Sequence, residues 1–410
     1  MDKTTLIYQI PIEEKEVKRF YYLNKIANNV SKIKWVLAFI TLLLVTYSYN
    51  VNISFHQTNF VITDYLIVSL FFGWILSVLS SFFNHFFAFL LVNRSYKFIQ
   101  NPKLEQKKVL LILADRLLFT FYHKHFVYSP DYHFASYFKS RIKEFHKNQS
   151  SKLHKCEEHT YISKKDKLCI HCWDSIKNAN KFFIEFSNWI NLIYTFLLVL
   201  LAFSFIFIQN DIANLIFLFY LLFRTLSRST EIIFAFYKDV VRVNFALFED
   251  LSQKNKAERI IYMHKWRYSN LRKPARISLA VHSLIEMALT FSLLYFLVTK
   301  VFYEQMLQSP SIVNLISYSN LMHYDTMKNL INFSSNFYNY FLYGVSMSFF
   351  NFSYTNYNLW IWNLLHVWQV IVSIVLIILS VASYLGLEDN MEKRDEEFFK
   401  QLEIQEDISK

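Results

Sequence analysis

Glycine and proline are nearly missing from this chain. Of 410 residues, three are glycine and five are proline, too few for the turns of a β-rich fold. Lys, Arg, Asp and Glu together make up 18% of the chain, and residues 50–63 and 205–215 hold no Lys or Arg. Several signatures of chemistry are also wanting. No Gly-rich phosphate loop, nucleophile elbow or H-E-x-x-H occurs, so nothing points to nucleotide, hydrolase or metalloprotease chemistry. Hydrophobic segments broken by Gly or Pro, which mark many transporters, are absent as well. The chain therefore does not read as an enzyme.

What is present is apolar. Hydrophobic residues make up 54% of the chain and aromatic residues 19%, with a mean hydropathy of +0.20. Several apolar runs approach the ~20 residues that span a bilayer. The expected class is an all-α integral membrane protein of about six spans, at residues 35–49, 65–92, 189–208, 212–236, 277–302 and 359–385.

The net charge of +11 raises nucleic acid as a partner, but its distribution favours a membrane. Lys and Arg crowd into residues 15–34, 94–181 and 238–276, alternating with stretches free of them. That is the positive-inside pattern, and it fits orientation against anionic lipid better than DNA or RNA. It predicts a multi-pass protein of the cell (plasma) membrane with both termini cytoplasmic. The expected order is a cytoplasmic segment (1–34, too polar for a short signal peptide) and a transmembrane hairpin (35–92). A basic cytoplasmic domain (93–188), a second hairpin (189–236) and a cytoplasmic linker (237–276) follow. A pore-like unit (277–386) and a charged tail (387–410) complete it.

Polar residues inside the spans are the first candidates for function. Asn84 and His85 sit near the inner end of the second span and read as a helix–helix hydrogen bond. Arg224 and Arg228, four apart on the fourth span, read as interfacial anchors rather than a voltage sensor. His282 and Glu286, four apart on the fifth, share a helix face; they fit either a functional carboxylate or a structural hydrogen bond.

A second constellation lies in the basic domain. Cys156 and His159, then Cys169 and Cys172, make a C-x-x-H followed by a C-x-x-C and use every cysteine of the chain. Two-residue spacers let paired ligands turn onto one ion, and four N/S ligands close a tetrahedral shell. The pattern predicts a structural zinc in a zinc-ribbon-like cytoplasmic insertion, where thiols stay reduced. His154 and His171 are possible substitute ligands.

The third lies between the last two apolar runs. The stretch Tyr343-Gly344-Val345-Ser346-Met347-Ser348-Phe349-Phe350-Asn351-Phe352-Ser353-Tyr354 resembles the pore loop of bacterial two-helix potassium channels, roughly S-x-V-T-x-T-T-x-G-Y-G-D. Ser346 and Ser348 stand where that pattern has threonines. Asn351-Phe352-Ser353-Tyr354 replaces its G-Y-G-D. Residues 366–386 are similar to the inner helix of that family, and residues 228–240 to the segment preceding the pore in some of its bacterial members. The resemblance implies two helices flanking a re-entrant loop, a homotetramer with a central pore, and monovalent cations as the permeant species.

The missing glycines bear on selectivity. A potassium filter replaces the hydration shell with rings of backbone carbonyls, in backbone angles that a β-carbon makes costly. Three outcomes stay open: a wider filter lined by Asn351 and Ser353, a closed plug, or a loop that is no pore. The leading expectation is a weakly selective cation channel. The alternatives are a non-conducting scaffold or sensor, and a membrane enzyme or transporter using His282, Glu286 or the zinc site.

Overall fold

The computed structural model describes residues 14–50, 62–97, 124–153, 170–207, 210–247, 273–308, 336–349 and 360–385. Among them run nine α-helices: α1 (Glu14–Tyr47), α2 (Ile62–Lys97), α3 (Lys124–Tyr128), α4 (Pro130–Leu153), α5 (Ile170–Phe207), α6 (Asp211–Leu247), α7 (Lys273–Gln308), α8 (Phe337–Ser348) and α9 (Trp360–Leu385). Six of these are long and apolar enough to cross a membrane, over Tyr21–Asn50, Tyr65–Asn93, Ala179–Phe205, Asp211–Ala235, Ser278–Phe302 and Trp360–Ile378. The chain is an all-α membrane protein.

Two span starts differ by ten residues or more from the sequence reading. The first span begins at Tyr21 rather than near 35, and the third at Ala179 rather than 189. In both, Lys and Asn residues dilute the hydropathy of the leading turns. Those turns are nevertheless buried on one face, through Leu23 and Ala27 in α1 and Phe182, Phe183 and Phe186 in α5.

α7 is the centre of the bundle. It packs on α5, α6, α8 and α9, and six consecutive residues, 293–298, are fully buried. A stretch buried all round in this way has no face left for lipid; Val281 and Ile285, nearer the start of α7, are exposed. The peripheral spans keep one apolar face outward, as with Phe39 and Leu43 of α1 and Ile67 and Phe71 of α2. Lipid is as apolar as these side chains, so association rests on close packing and polar contacts instead of burial from water. α2 shows the means. Ser69, Gly73, Ser77, Ser81 and His85 recur every fourth residue, all buried, along the helix that packs most closely on α6.

α3 and α4 lie outside the six spans but are seated in the bundle. Ser129 precedes Pro130 at the first turn of α4, a strong start signal. Phe126, Phe134, Phe138 and Ile142 are then buried with residues of α1, α2 and α5. The aromatic cluster around residues 119–138 is thus core packing in its described part.

α8 sits against the last two spans. Asn336 caps it, accepting from the Tyr338 N–H at 2.9 Å and donating to the Tyr49 carbonyl at 2.6 Å, at the end of the bundle where α1 finishes. The far end of α8 lies deeper. The place of Gly344 is beside Ala288 and Ser292, which straddle the middle of the fifth span. Ser348 is level with Gln369, whereas α9 begins at Trp360, about 13 Å nearer the end from which α8 enters, at 1.5 Å per residue.

Candidate functional site

Apolar side chains would be the cheapest interior for such a bundle; among the described residues it holds a cluster of five charged ones. Asp131, at the start of α4, is fully buried, and Arg224, Arg228 and Glu231 of α6 and Glu286 of α7 are 2–8% exposed. Charges buried this deeply persist only when paired and hydrogen-bonded.

These charges are joined in one network of ion pairs and hydrogen bonds. Arg224 donates from Nη1 to Asp131 Oδ1 and to Ser81 Oγ at 2.9 Å, and from Nη2 to Asn191 Oδ1 at 2.7 Å. The other Asp131 oxygen accepts from Ser81 at 2.9 Å and Ser227 at 2.6 Å. Ser227 also accepts from the Asp131 backbone N–H at 2.9 Å, and Ser129 donates to the Ser227 carbonyl at 2.9 Å. The first turn of α4 is therefore latched to α6. Burial opposes ionisation of Asp131, but the Arg224 guanidinium, with His85 and Arg228 behind it, more than offsets this. Its carboxyl is held far below the usual carboxylate range.

Arg228 serves the other half. It grips Glu286 with two parallel bonds, Nε to Oε1 at 2.9 Å and Nη2 to Oε2 at 3.1 Å, the strong bidentate geometry. Nη2 also reaches Asn188 Oδ1 at 3.1 Å, and Nη1 bonds Glu231 Oε2. Asn84 donates to Asn191 Oδ1 at 3.0 Å. Ser187 Oγ lies 2.7 Å from His85 Nδ1. Five helices, α2, α4, α5, α6 and α7, meet at these groups.

The sequence expectations can now be placed. Asn84 and His85 do make helix–helix hydrogen bonds. Arg224 and Arg228 are not interfacial anchors; carboxylates from α4 and α7 meet them inside the bundle and hold them there. Glu286 has the structural partner that one of the two readings required. His282 is not joined to it: it is half-buried at 2.8 Å from Lys34 Nζ of α1, and Lys34 in turn lies beside the rings of Trp35 and Trp189. Spacing alone missed Asp131, Glu231, Asn188, Asn191 and Ser227. A signal for Asp131 existed: it is the lone acid between Asp115 and Glu144, amid aromatic residues.

A second site is built where α8 meets α7 and α9. Gln369 donates from Nε2 to the Gly344 carbonyl at 2.6 Å and to Ser348 Oγ at 2.9 Å, and accepts from Tyr295 at 2.9 Å. Ser348 also donates to the Gly344 carbonyl at 3.0 Å, and Ser346 to that of Tyr343 at 2.9 Å. Tyr343 meets His366 at 2.7 Å. Ser348 is fully buried against α9 and Ser346 is half-buried. The other filter residues of the sequence reading, Asn351, Phe352, Ser353 and Tyr354, lie outside the described residues. So do the zinc candidates Cys156, His159 and Cys169; Cys172 falls in the first turn of α5, its side chain outside them.

Among the described residues one group could approach a metal-ligand arrangement: His85, Asp131 and Glu231, with ligand atoms within 4.8 Å of one another. The Asp131 and Glu231 oxygens that face His85 are the ones already bonded to Arg224 and Arg228. Two guanidiniums at that distance repel a divalent ion. Compared with protein-family models, curated proteins and solved structures, the chain matches none.

Proposed function

We propose that this chain is a channel-like membrane protein whose last unit, residues 277–386, contributes a weakly selective cation pore at the axis of a homo-oligomer. The observation that carries the reading is α8, a helix of twelve residues that enters from one end and stops level with the middle of α7. The carbonyl end of a helix bears about half a negative charge, and a half-helix ending inside a bundle offers it to a cation. Asn351 to Tyr354 follow that end directly in sequence. The outer face of α9, Trp360, Leu364, Val367 and Ile371, and Phe349 at the tip of α8 are exposed in the single chain, leaving apolar surface for neighbouring copies. A tetramer is what the resemblance implies, and closed cyclic symmetry is the simplest way to a central pore.

A constriction lined by side chains coordinates ions less completely than stacked carbonyls, so potassium and sodium should be poorly distinguished. In reconstituted bilayers Asn351→Asp, which adds one negative charge per subunit, is expected to raise the preference for cations over anions. Asn351→Leu should dewet the same point and reduce current. If wild type and Asn351→Asp both stay silent under voltage, lipid and pH challenge, the pore reading fails and a non-conducting scaffold or sensor replaces it.

Orientation and the cysteine motif belong to the same proposal. With both termini cytoplasmic in the plasma membrane, single cysteines at Gln57 and Asn320 in a cysteine-free background should react with an impermeant reagent in intact cells, and one at Asn148 should not; the opposite labelling inverts the topology. Cys156, His159, Cys169 and Cys172 would hold a structural zinc that fixes the insertion between the hairpins. Purified protein should then carry about one zinc per chain, lost on combining Cys169→Ser with Cys172→Ser. Full metal content in that double variant overturns the assignment.

A further inference from the structure

The buried network is one positive charge short. Arg224 and Arg228 stand against Asp131, Glu231 and Glu286, two cations for three carboxylates. Each carboxylate accepts from an arginine. Glu286 accepts on both oxygens from Arg228. Asp131 accepts from Arg224 on one oxygen and from two serines on the other. Glu231 accepts from Arg228. An uncompensated carboxylate so deep costs several kcal/mol, so a further cation or a bound proton is expected among them.

One atom is aimed at the gap. His85 is fully buried, and its Nδ1 is taken up with Ser187. Its Nε2 has no hydrogen-bond partner and points between two carboxylates, 3.5 Å from Asp131 Oδ1 and 3.8 Å from Glu231 Oε2. The charged groups around it come from every helix packed there that carries one: Asp131 of α4, Arg224, Arg228 and Glu231 of α6, and Glu286 of α7. α5 contributes the neutral Ser187, Asn188 and Asn191, and the ring of Phe183 at 6.4 Å. A divalent ion would overshoot neutrality by one charge and would have to displace two guanidiniums. A proton restores neutrality and displaces nothing.

We propose that His85 is a buried proton-binding site, whose imidazolium is the third cation of the network and holds the first turn of α4 in its seat between α2 and α6. The ligand is the proton itself. When it leaves, Asp131 and Glu231 face each other across a neutral ring with one carboxylate uncompensated, and the latch between Asp131 and α6 weakens. α4 leads directly into the segment that carries the cysteine motif, so the bundle and that segment would be coupled through one proton. None of its residues belongs to α8 or to the segment after it, so the site can be tested without reading conduction.

The test reads the proton and the latch separately. In full-length protein labelled with nitrogen-15 at histidine and held in lipid nanodiscs, the resonance that vanishes in His85→Gln belongs to His85. It should show both ring nitrogens protonated at about pH 6 and lose one proton at higher pH. Hydrogen exchange over residues 130–142, corrected for its intrinsic pH dependence, should speed up about tenfold, equivalent to about 1.4 kcal/mol, as that proton leaves. In His85→Gln the fast rate should hold at both pH values. A neutral His85 ring at pH 6, an exchange rate blind to its titration, or the same pH response in His85→Gln overturns the proposal. So does binding of one manganese(II) per chain that His85→Gln abolishes, which would make the cluster a metal site.

Discussion

Replacing Arg224 by Met is expected to remove about 3–5 kcal/mol of stability, the usual cost of leaving one partner of a buried ion pair behind. Asp131 would lose its main counter-charge and one of its bonded donors, while Ser81 and Asn191 lose theirs. The apparent midpoint of unfolding in mild detergent should fall far more than for a lipid-facing change such as Phe39→Leu. Combining Arg224→Met with Asp131→Asn should recover much of the loss, because the charge imbalance then returns to its wild-type size. If the double variant is as unstable as the sum of the two single changes, the pair is not coupled and the network argument is wrong.

The same pair sets a pH dependence with a definite sign. The folded carboxyl of Asp131 titrates far below its unfolded value, so the unfolded chain binds the proton first on acidification. The contribution of Asp131 is therefore complete above the ordinary carboxylate range near pH 4 and declines as pH falls through it towards the depressed folded value.

Which parts of this were legible follows from where each signal lives. The spans announce themselves because lipid demands long apolar helices, and hydropathy along the chain reports that demand directly. Hydropathy shortens span 1 and span 3 because the Lys and Asn residues of their first turns lower it, although their apolar neighbours Leu23 and Phe183 are buried. Glu286 was visible as a carboxylate at membrane depth, yet its partner was not: nothing in the spacing of Arg228 says that it faces α7 rather than the interface. Asp131 was hidden more thoroughly. It lies outside every apolar span, and the contact that matters, with Arg224, joins residues 93 apart in sequence. α8 was legible in part, through the pore-loop-like stretch between two spans, but the hold of Gln369 on its last turn was not.

Glycine scarcity turns out to mark packing as well as fold class, and it gives the sharpest mutational contrast. A β-carbon at Gly73 would lie 2.7 Å from both Phe219 Cβ and the Tyr220 backbone nitrogen. At Gly344 it would lie 2.1 Å from Ser292 Oγ and 2.9 Å from the Ala288 carbonyl oxygen. Neither position calls for an unusual backbone; both are places where two helices approach too closely for a side chain, the usual role of small residues between membrane helices. Overpacking of this kind costs typically about 1–3 kcal/mol, against which alanine regains up to about 1 kcal/mol of helix propensity. The two sites should differ in how they yield. At Gly344 the nearest obstacle is a hydroxyl that can rotate or be deleted, so Ser292→Ala should rescue part of the loss in Gly344→Ala. At Gly73 the obstacles are main-chain atoms and a Cβ fixed to them, so α2 and α6 must move apart, and with them Ser81 and Arg224 in the buried network. Gly73→Ala is therefore expected to be the more destabilising of the two and to loosen α4 as well, seen as faster hydrogen exchange over residues 130–142. Unchanged exchange there, with the loss of stability present, would mean that the α2–α6 contact and the network respond independently.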